Sequence, residues 1–241
     1  MSQAVAPSVP LAPRLWLGWT LLWATLVSLV QIGPNLAALA WRPTARTFWR
    51  WLRVWSRLVL GGAGIRVESR GEAPPAPVVY VANHQSMLDI PVLTIGIPAP
   101  FVFVARAGLG RLPIVGAILR RSRCVLIDRQ APGGREAGLA AAGERLAAGE
   151  SVLFFPEGTR SYGAEVRPFY PGAFRLAQAA GVPVVPVAVD GAHELVNERQ
   201  RTARPGTVSV RLGAPLPEIP GEGLGELTVR AHDAVAALLA S

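Results

Sequence analysis

From Leu15 to Trp41 the chain runs without a charged residue, between Arg14 and Arg42. A membrane-embedded helix needs about 20 apolar residues to span, so this run is a membrane signal. It is interrupted by Gly33-Pro34-Asn35, a combination that stops one helix and lets another begin. The pattern therefore predicts two helices, Leu15–Ile32 and Leu36–Leu60, after a flexible segment 1–14. In the second helix Arg42, Arg46, Arg50, Arg53 and Arg57 recur at intervals of 4, 4, 3 and 4 and share one face. Phe48, Trp51, Leu52, Trp55, Leu58 and Val59 fall largely on another. An arginine stripe against a tryptophan-rich face describes a helix lying at the headgroup boundary of an anionic membrane surface. The alternative is a solvated charged face over a protein core. Arg14, the apolar stretch and Ala38-Leu39-Ala40 also imitate a cleavable leader, but the run exceeds the about 7–15 apolar residues of one.

Beyond residue 78 the rhythm changes to short apolar runs separated by turn residues and helix-like stretches. Val78–Ala82, Phe101–Ala105, Cys124–Ile127, Val152–Phe155, Val184–Val189 and Thr207–Leu212 read as strands. Several lack polar alternation, as strands do when both faces of a sheet are covered. Ile90–Ile95, Gly116–Arg121, Arg135–Ala148, Ala173–Ala180 and Leu227–Leu239 read as helices between them. Alternating strand and helix predicts an α/β domain over 61–241, with a mostly parallel central sheet and helices on both faces. The segment 15–60 precedes it as a membrane-anchoring pair of helices.

Composition sharpens this division. Hydrophobic residues make up 51% of the 241 and charged residues only 17%, an excess of apolar surface that fits contact with lipid. The formal charge is +8, and with no lysine in the sequence it is carried by arginine, whose planar donor fork suits phosphate on lipid, substrate or nucleic acid. The single cysteine, Cys124, excludes an internal disulfide and reads as a small core residue.

Four segments carry candidate chemistry. Val78-Val79-Tyr80-Val81-Ala82-Asn83-His84-Gln85-Ser86-Met87-Leu88-Asp89 is an apolar strand running into polar residues and a helix start, the place where α/β proteins keep functional loops. An Asp89 carboxylate folded back onto one imidazole nitrogen of His84 fixes the tautomer and frees the other nitrogen to take a proton. Ser86 to Asp89 also has the outline of a capping arrangement, with Ser86 as N-cap, and the two readings are compatible. Phe154-Phe155-Pro156-Glu157-Gly158-Thr159-Arg160-Ser161 ends another strand in a turn. There Glu157 is placed to accept from hydroxyls and Arg160 to bind phosphate, although Pro-Glu-Gly-Thr is also an ordinary turn composition. Val125-Leu126-Ile127-Asp128-Arg129 delivers an arginine at a strand end. Gly181-Val182-Pro183-Val184-Val185-Pro186-Val187 is a strand marked by two prolines and reads as architectural.

In this order and at these separations the four segments resemble the glycerolipid acyltransferase family, and most closely its bacterial-type 1-acylglycerol-3-phosphate acyltransferases. The resemblance covers roughly Gly64 to Leu216. It implies that His84 is a general base, Asp89 its orienting partner, and that Arg129, Glu157, Gly158, Thr159 and Arg160 shape a glycerol-phosphate site. It implies transfer of a fatty acyl group from acyl carrier protein or coenzyme A thioester to the sn-2 hydroxyl of 1-acylglycerol-3-phosphate, giving phosphatidic acid. The donor is then a substrate, with no cofactor and no metal, and no Cys/His cluster has ligand spacing. The chain departs from the family pattern at Arg106, where relatives often carry lysine, and at Phe169-Tyr170-Pro171-Gly172, where they carry a more basic stretch. Both departures touch the acceptor headgroup, and a lyso-aminolipid or another lysophospholipid is the alternative acceptor.

Backbone N–H groups at a helix start are the expected receivers of an oxyanion, and the sequence does not say which. His193 and His232 stand alone and read as structural. A nucleic-acid-binding protein is the rival that the charge invites, but no binding motif accompanies the arginines, which adjoin the lipid-facing run. A non-catalytic lipid-binding scaffold is opposed by the intact His84 and Asp89. The expected setting is the cytoplasmic membrane, with the two helices as a hairpin in one leaflet and the active site facing the cytoplasm. A single span with an external N-terminus is the competing topology.

Overall fold

The computed structural model describes residues 11–41, 44–111, 116–119, 122–217 and 219–241. Arg42, residues 1–10 of the expected N-terminal segment and the end of the expected 116–121 helix lie outside them.

Helices α1 (Leu11–Trp41) and α2 (Ala45–Gly62) run antiparallel. The indole N–H groups of Trp16, Trp19 and Trp23 donate to the carbonyls of Ala63, Gly62 and Leu58 at 3.2, 2.8 and 2.8 Å, and Trp55 donates to Ser28 Oγ at 3.0 Å. The break expected at Gly33-Pro34-Asn35 is absent, since Pro34 lies inside α1, which also takes in Leu11–Arg14. Proline removes one donor and crowds the preceding turn, which bends a helix without always ending it. The second helix starts later, where extended Thr44 accepts from the Thr47 N–H at 3.0 Å, a cap that the Gly-Pro-Asn segment does not supply.

The polarity of α1 is reversed from that of a helix on a water-soluble domain. Thr20, Gln31 and Asn35 are buried with Val27, while Leu15, Leu22, Leu29 and Val30 face outward with Val30 at 76% exposure. Leu11–Ala38 is long and apolar enough to cross a membrane. The arginine stripe of α2 divides. Arg46, Arg50 and Arg57 are exposed, whereas Arg53 turns into the protein, its guanidinium 4.7 Å from the Trp49 ring centroid. Its Nη1 donates to the carbonyls of Thr94, Ile95 and Ile97 at 3.0, 3.4 and 3.4 Å, at the end of the helix that follows the second strand.

The domain contains β1 (Ile65–Arg70), β2 (Val79–Ala82), α3 (Asp89–Gly96), β3 (Phe101–Arg106), β4 (Val125–Ile127), α4 (Gly134–Ala147) and β5 (Ser151–Phe154). It continues through α5 (Gly172–Ala180), β6 (Val184–Asp190), α6 (Ala192–Leu195), β7 (Val196–Asn197), β8 (Thr202–Ala203), β9 (Gly206–Leu212) and α7 (Leu224–Ala240). Seven strands form one sheet in the order β1-β9-β6-β2-β5-β3-β4. Every neighbouring pair is parallel except β6 with β9, and β7 pairs with β8 as a separate hairpin.

Central β2 shows why its sequence lacks alternation, because all four of its residues are buried. Tyr80 and Ala82 enter one core with Phe48 and Leu60 of α2 and Val92 and Leu93 of α3. Val79 and Val81 enter the other with Ala142 and Leu146 of α4, Phe174 of α5 and Val235 of α7. With helices on both faces, β2, β3, β4 and β5 all end on one edge of the sheet. His84, Arg106, Arg129 and Glu157 sit at or just after those four ends.

Candidate active site

His84 leaves the end of β2 held from three sides. Its N–H donates to Glu157 Oε1 at 2.8 Å, its carbonyl accepts from the Ser161 N–H at 2.7 Å, and its ring stacks on Phe155 with centroids 4.0 Å apart. Asn83 exchanges two hydrogen bonds with the backbone of Val189 on β6, at 2.9 and 2.8 Å. The loop is thus fastened to the strands on both sides of β2 before any catalytic contact is counted.

His84 Nδ1 lies 2.7 Å from Asp89 Oδ2. The same oxygen accepts from the N–H groups of Gln85 and Ser86 at 2.6 and 3.0 Å, so it acts as an acceptor and the proton sits on Nδ1. Nε2 is left with its lone pair unengaged. The imidazole is 18% exposed while Asp89 is completely buried, a base at the surface backed by a carboxylate in the interior. Burial pushes the Asp89 carboxyl above its ordinary range, opposed by His84 and by the two N–H groups. The expected capping arrangement is met in part: Ser86 Oγ accepts from the Leu88 N–H at 3.3 Å and Asp89 Oδ2 accepts from the Ser86 N–H, but α3 begins at Asp89 itself, with Leu88 as its N-cap. Ser86 Oγ also donates to the Val196 carbonyl and to Glu198 Oε1, at 2.8 and 3.2 Å.

The backbone donors from His84 to Asp89 are already engaged. The N–H of His84 goes to Glu157, those of Gln85 and Ser86 to Asp89, that of Met87 to Glu198 Oε1 at 2.6 Å, and those of Leu88 and Asp89 to Ser86. These bonds hold the His84 loop in place.

Glu157 is buried, and its Oε2 has no hydrogen-bond partner. Burial pushes its carboxyl up to about 7, against the pull of the His84 N–H. Gly158 takes a φ of +71, a left-handed conformation natural to glycine. A Cβ there would stand 2.6 Å from Arg129 Nη1. Its carbonyl accepts from Arg106 Nη2 at 3.0 Å and Arg129 Nη1 at 2.8 Å. Burial, then the neighbouring charges of Arg106 and Arg135, lower the pKa of Arg129. Arg106, Arg129 and Arg135 thus form one cationic cluster, with N–H donors to spare beyond the Gly158 carbonyl. Thr159 is exposed beside it.

Arg160 does not join that cluster. Its Nη1 pairs with Glu198 Oε1 at 3.0 Å, and its guanidinium lies 5.1 Å from the Tyr162 ring centroid, so the expected pair of phosphate-binding arginines is divided. Glu198 was not among the expected residues. It follows β7 and ties the His84 loop to Arg160, and no local spacing in the sequence marks it. His193, expected to stand alone, has Nδ1 at 3.2 Å from Gln85 Oε1 and supports the same loop. His232 stays outside the site, beside Asp233 and edge-on to Phe169. Cys124 is buried, and burial pushes its thiol up to about 11. Among the described residues no three His, Cys, Asp or Glu side chains converge as metal ligands would.

The sequence profile of the family described as Acyltransferase matches residues 64–190, just over half of the chain, from β1 to the end of β6. A 1-acyl-sn-glycerol-3-phosphate acyltransferase of Chlamydomonas reinhardtii is 38% identical over 69% of this chain and 49% of its own length. Human 1-acyl-sn-glycerol-3-phosphate acyltransferase alpha is 34% identical over 67% of this chain and 57% of its own length. The chain therefore spans about half the length of these relatives. A lyso-ornithine lipid O-acyltransferase of Pseudomonas aeruginosa is 31% identical over 88% of this chain and 90% of its own length. The crystal structure of the 1-acyl-sn-glycerophosphate acyltransferase PlsC from Thermotoga maritima has the same fold, with a TM-score of 0.79 at 23% identity over 95% of this chain and 98% of that one.

Proposed function

Since this chain belongs to the acyltransferase family, we propose that it is an O-acyltransferase that moves a fatty acyl group from a thioester to the sn-2 hydroxyl of 1-acylglycerol-3-phosphate. The observation that carries the reading is the His84–Asp89 pair at 2.7 Å with Nε2 unengaged, on the same sheet edge as Glu157 and the Arg129 cluster. A lipid hydroxyl is a poor nucleophile until its proton is removed. His84 Nε2 takes that proton as the oxygen attacks the thioester carbonyl, and Asp89 stabilises the imidazolium that forms. The tetrahedral intermediate collapses, the C–S bond breaks, and the imidazolium returns its proton to the departing thiolate. Arg129 and Arg106 supply guanidinium donors for the acceptor phosphate, with Glu157, Gly158 and Thr159 forming the turn beside it. The acyl donor is acyl carrier protein or coenzyme A thioester.

The reversed polarity of α1 supports a hairpin bathed in lipid. Residues 16–28 of α1 lie beside residues 55–62 of α2 and its C-cap Ala63. If α1 crossed the bilayer upright, it would draw the exposed Arg57 toward the hydrocarbon, at about 2.5–3.5 kcal/mol at the centre of the bilayer. A hairpin lying in the cytoplasmic leaflet avoids this, and it brings the site to the face where thioesters are made.

A second acceptor is favoured by a specific observation. The relative matched over 90% of its own length is a lyso-ornithine lipid O-acyltransferase, and Arg160 is held by Glu198 rather than left for a phosphate. The same chemistry on a lyso-aminolipid needs only His84 and Asp89 unchanged. The deciding experiment compares kcat/KM for 1-acylglycerol-3-phosphate and lyso-ornithine lipid, each with acyl carrier protein and coenzyme A thioesters, for the wild type and His84→Ala. The phosphate acceptor is expected to lead, with a loss on the order of 10²-fold or more in the variant. Lyso-ornithine lipid leading supports the second acceptor, and transfer to neither overturns both.

A further inference from the structure

The β7–β8 hairpin reaches from the His84 loop to the start of α1, and its outer side borders a groove of about 540 Å³ lined by Arg14, Leu17, Gly18, Leu21, Arg199 and Arg201, with Gln200. Among the described residues three arginines line it and no carboxylate does. The nearby acids are engaged elsewhere: Glu198 with Arg160, Ser86 and Met87, and Glu194 with Arg204. Arg201 is held at φ +54, a left-handed conformation that residues with a Cβ rarely adopt. Arg199 lies over the ring of Tyr162, 4.4 Å from its centroid, and is oriented by it.

The α1 wall is elongated and, beyond Arg14, apolar. Arg14, Leu17, Gly18 and Leu21 are spaced at i, i+3, i+4 and i+7 along one face of α1, a strip of about 10 Å at 1.5 Å per residue. A Cβ built at Gly18 would meet nothing within 4 Å, so the middle of the strip stays open. Positive charge at one end and a leucine-lined channel leading away along an apolar helix match an amphiphile with an anionic head and a hydrocarbon tail.

We propose that this groove binds a phospholipid of the surrounding leaflet by its anionic headgroup, with the phosphate on Arg14, Arg199 and Arg201 and an acyl chain along Leu17 and Leu21. The site shares no residue with the His84 centre. It connects to that centre through the backbone from Arg199 to Glu198, so an occupied groove steadies the strand that holds the His84 loop. The inference uses the reading of α1 as lipid-bathed but not the identity of the acyl acceptor.

The test is calorimetric titration of the full chain in dodecyl maltoside with dihexanoyl phosphatidylglycerol. Dihexanoyl phosphatidylcholine and inorganic phosphate are separate arms. Saturable binding of one phosphatidylglycerol is expected, with phosphatidylcholine and free phosphate each weaker by on the order of tenfold or more. Arg199→Gln/Arg201→Gln should weaken phosphatidylglycerol by a similar factor, with an unchanged melting temperature. Arg46→Gln/Arg50→Gln, which removes exposed charge elsewhere, should bind as the wild type does. The proposal is overturned if phosphatidylglycerol fails to saturate, or binds the groove variant as tightly as the wild type. Equal loss in the two double variants would overturn it as diffuse surface charge, and free phosphate binding as tightly as the lipid would make the ligand a soluble anion. None of these outcomes depends on acyl transfer.

Discussion

Replacing Glu157 with glutamine separates the cost of a buried carboxylate from the hydrogen bond it makes. Oε1 accepts from the His84 N–H at 2.8 Å, a bond that a glutamine carbonyl can keep, whereas the buried Oε2 has no partner. Burial raises the carboxyl from its ordinary 4.5 to about 7, and at 1.36 kcal/mol per pH unit that is about 3 kcal/mol of preference for the protonated form. The folded value lies above the unfolded one, so between pH 4.5 and 7 the native state holds a proton that the unfolded chain has released. Wild-type stability therefore falls as pH rises through that window. The acid Asp89 titrates in both proteins, and its own contribution largely cancels in their difference. Thermal unfolding in detergent should find the Glu157→Gln protein equal to wild type near pH 4 and more stable at pH 8. At about 2–4 °C per kcal/mol for a chain of this size the gap is about 6–12 °C. A variant that melts below wild type at pH 8, or a gap that does not change with pH, would refute the reasoning.

Asp89→Asn can keep its oxygen where Oδ2 now accepts three donors, so the protein should fold and bind acceptor while kcat drops on the order of 10²-fold or more as the imidazolium loses its counter-charge. An unchanged kcat would remove Asp89 from the mechanism. Gly158→Ala places a methyl at φ +71 and 2.6 Å from Arg129 Nη1, and should cost about 1–2 kcal/mol of stability while raising KM for the acceptor more than for the thioester. The converse pattern in steady-state kinetics would assign Arg129 to the donor. With Cys124 first replaced by alanine, a cysteine introduced at Ser2 should resist an impermeant thiol reagent in intact cells and react after lysis, and labelling before lysis would make α1 a true span.

The central strands were legible because burial on both faces leaves no room for polar residues. Val79 to Ala82 and Val152 to Phe154 are uninterrupted for that reason. Edge strand β1 escaped the reading, since of its six residues only Ile65 is buried and the rest resemble a polar loop. The His84–Asp89 contact is local, five residues apart, so sequence spacing was enough to find it. Glu198 was not findable in that way, because its hydrogen bonds to Met87 and Ser86 close across 111 and 112 residues and only the folded hairpin brings them together. The helix boundary at Gly33-Pro34 misled for another reason. Local breaker residues were outweighed by a continuous apolar run, while the true start of α2 depends on one threonine hydroxyl. Which N–H groups are free for an oxyanion was not legible either, because only the fold shows that each donor from His84 to Asp89 has found a partner inside the protein.

One bond described with the fold bears on how this protein meets its substrates. Arg53 of α2 grips the last carbonyls of α3, and Asp89 is the first residue of the same helix. Eight residues at 1.5 Å each make α3 a strut of about 12 Å with α2 at one end and the Asp89 carboxylate at the other. If α2 lies in a lipid surface as proposed, its depth there is also the height at which His84 is presented above or within it. A bilayer that is thicker, thinner or differently charged would move the reacting centre as a rigid whole relative to the hydroxyls it serves, and lipid composition becomes a setting of the catalyst rather than only its surroundings.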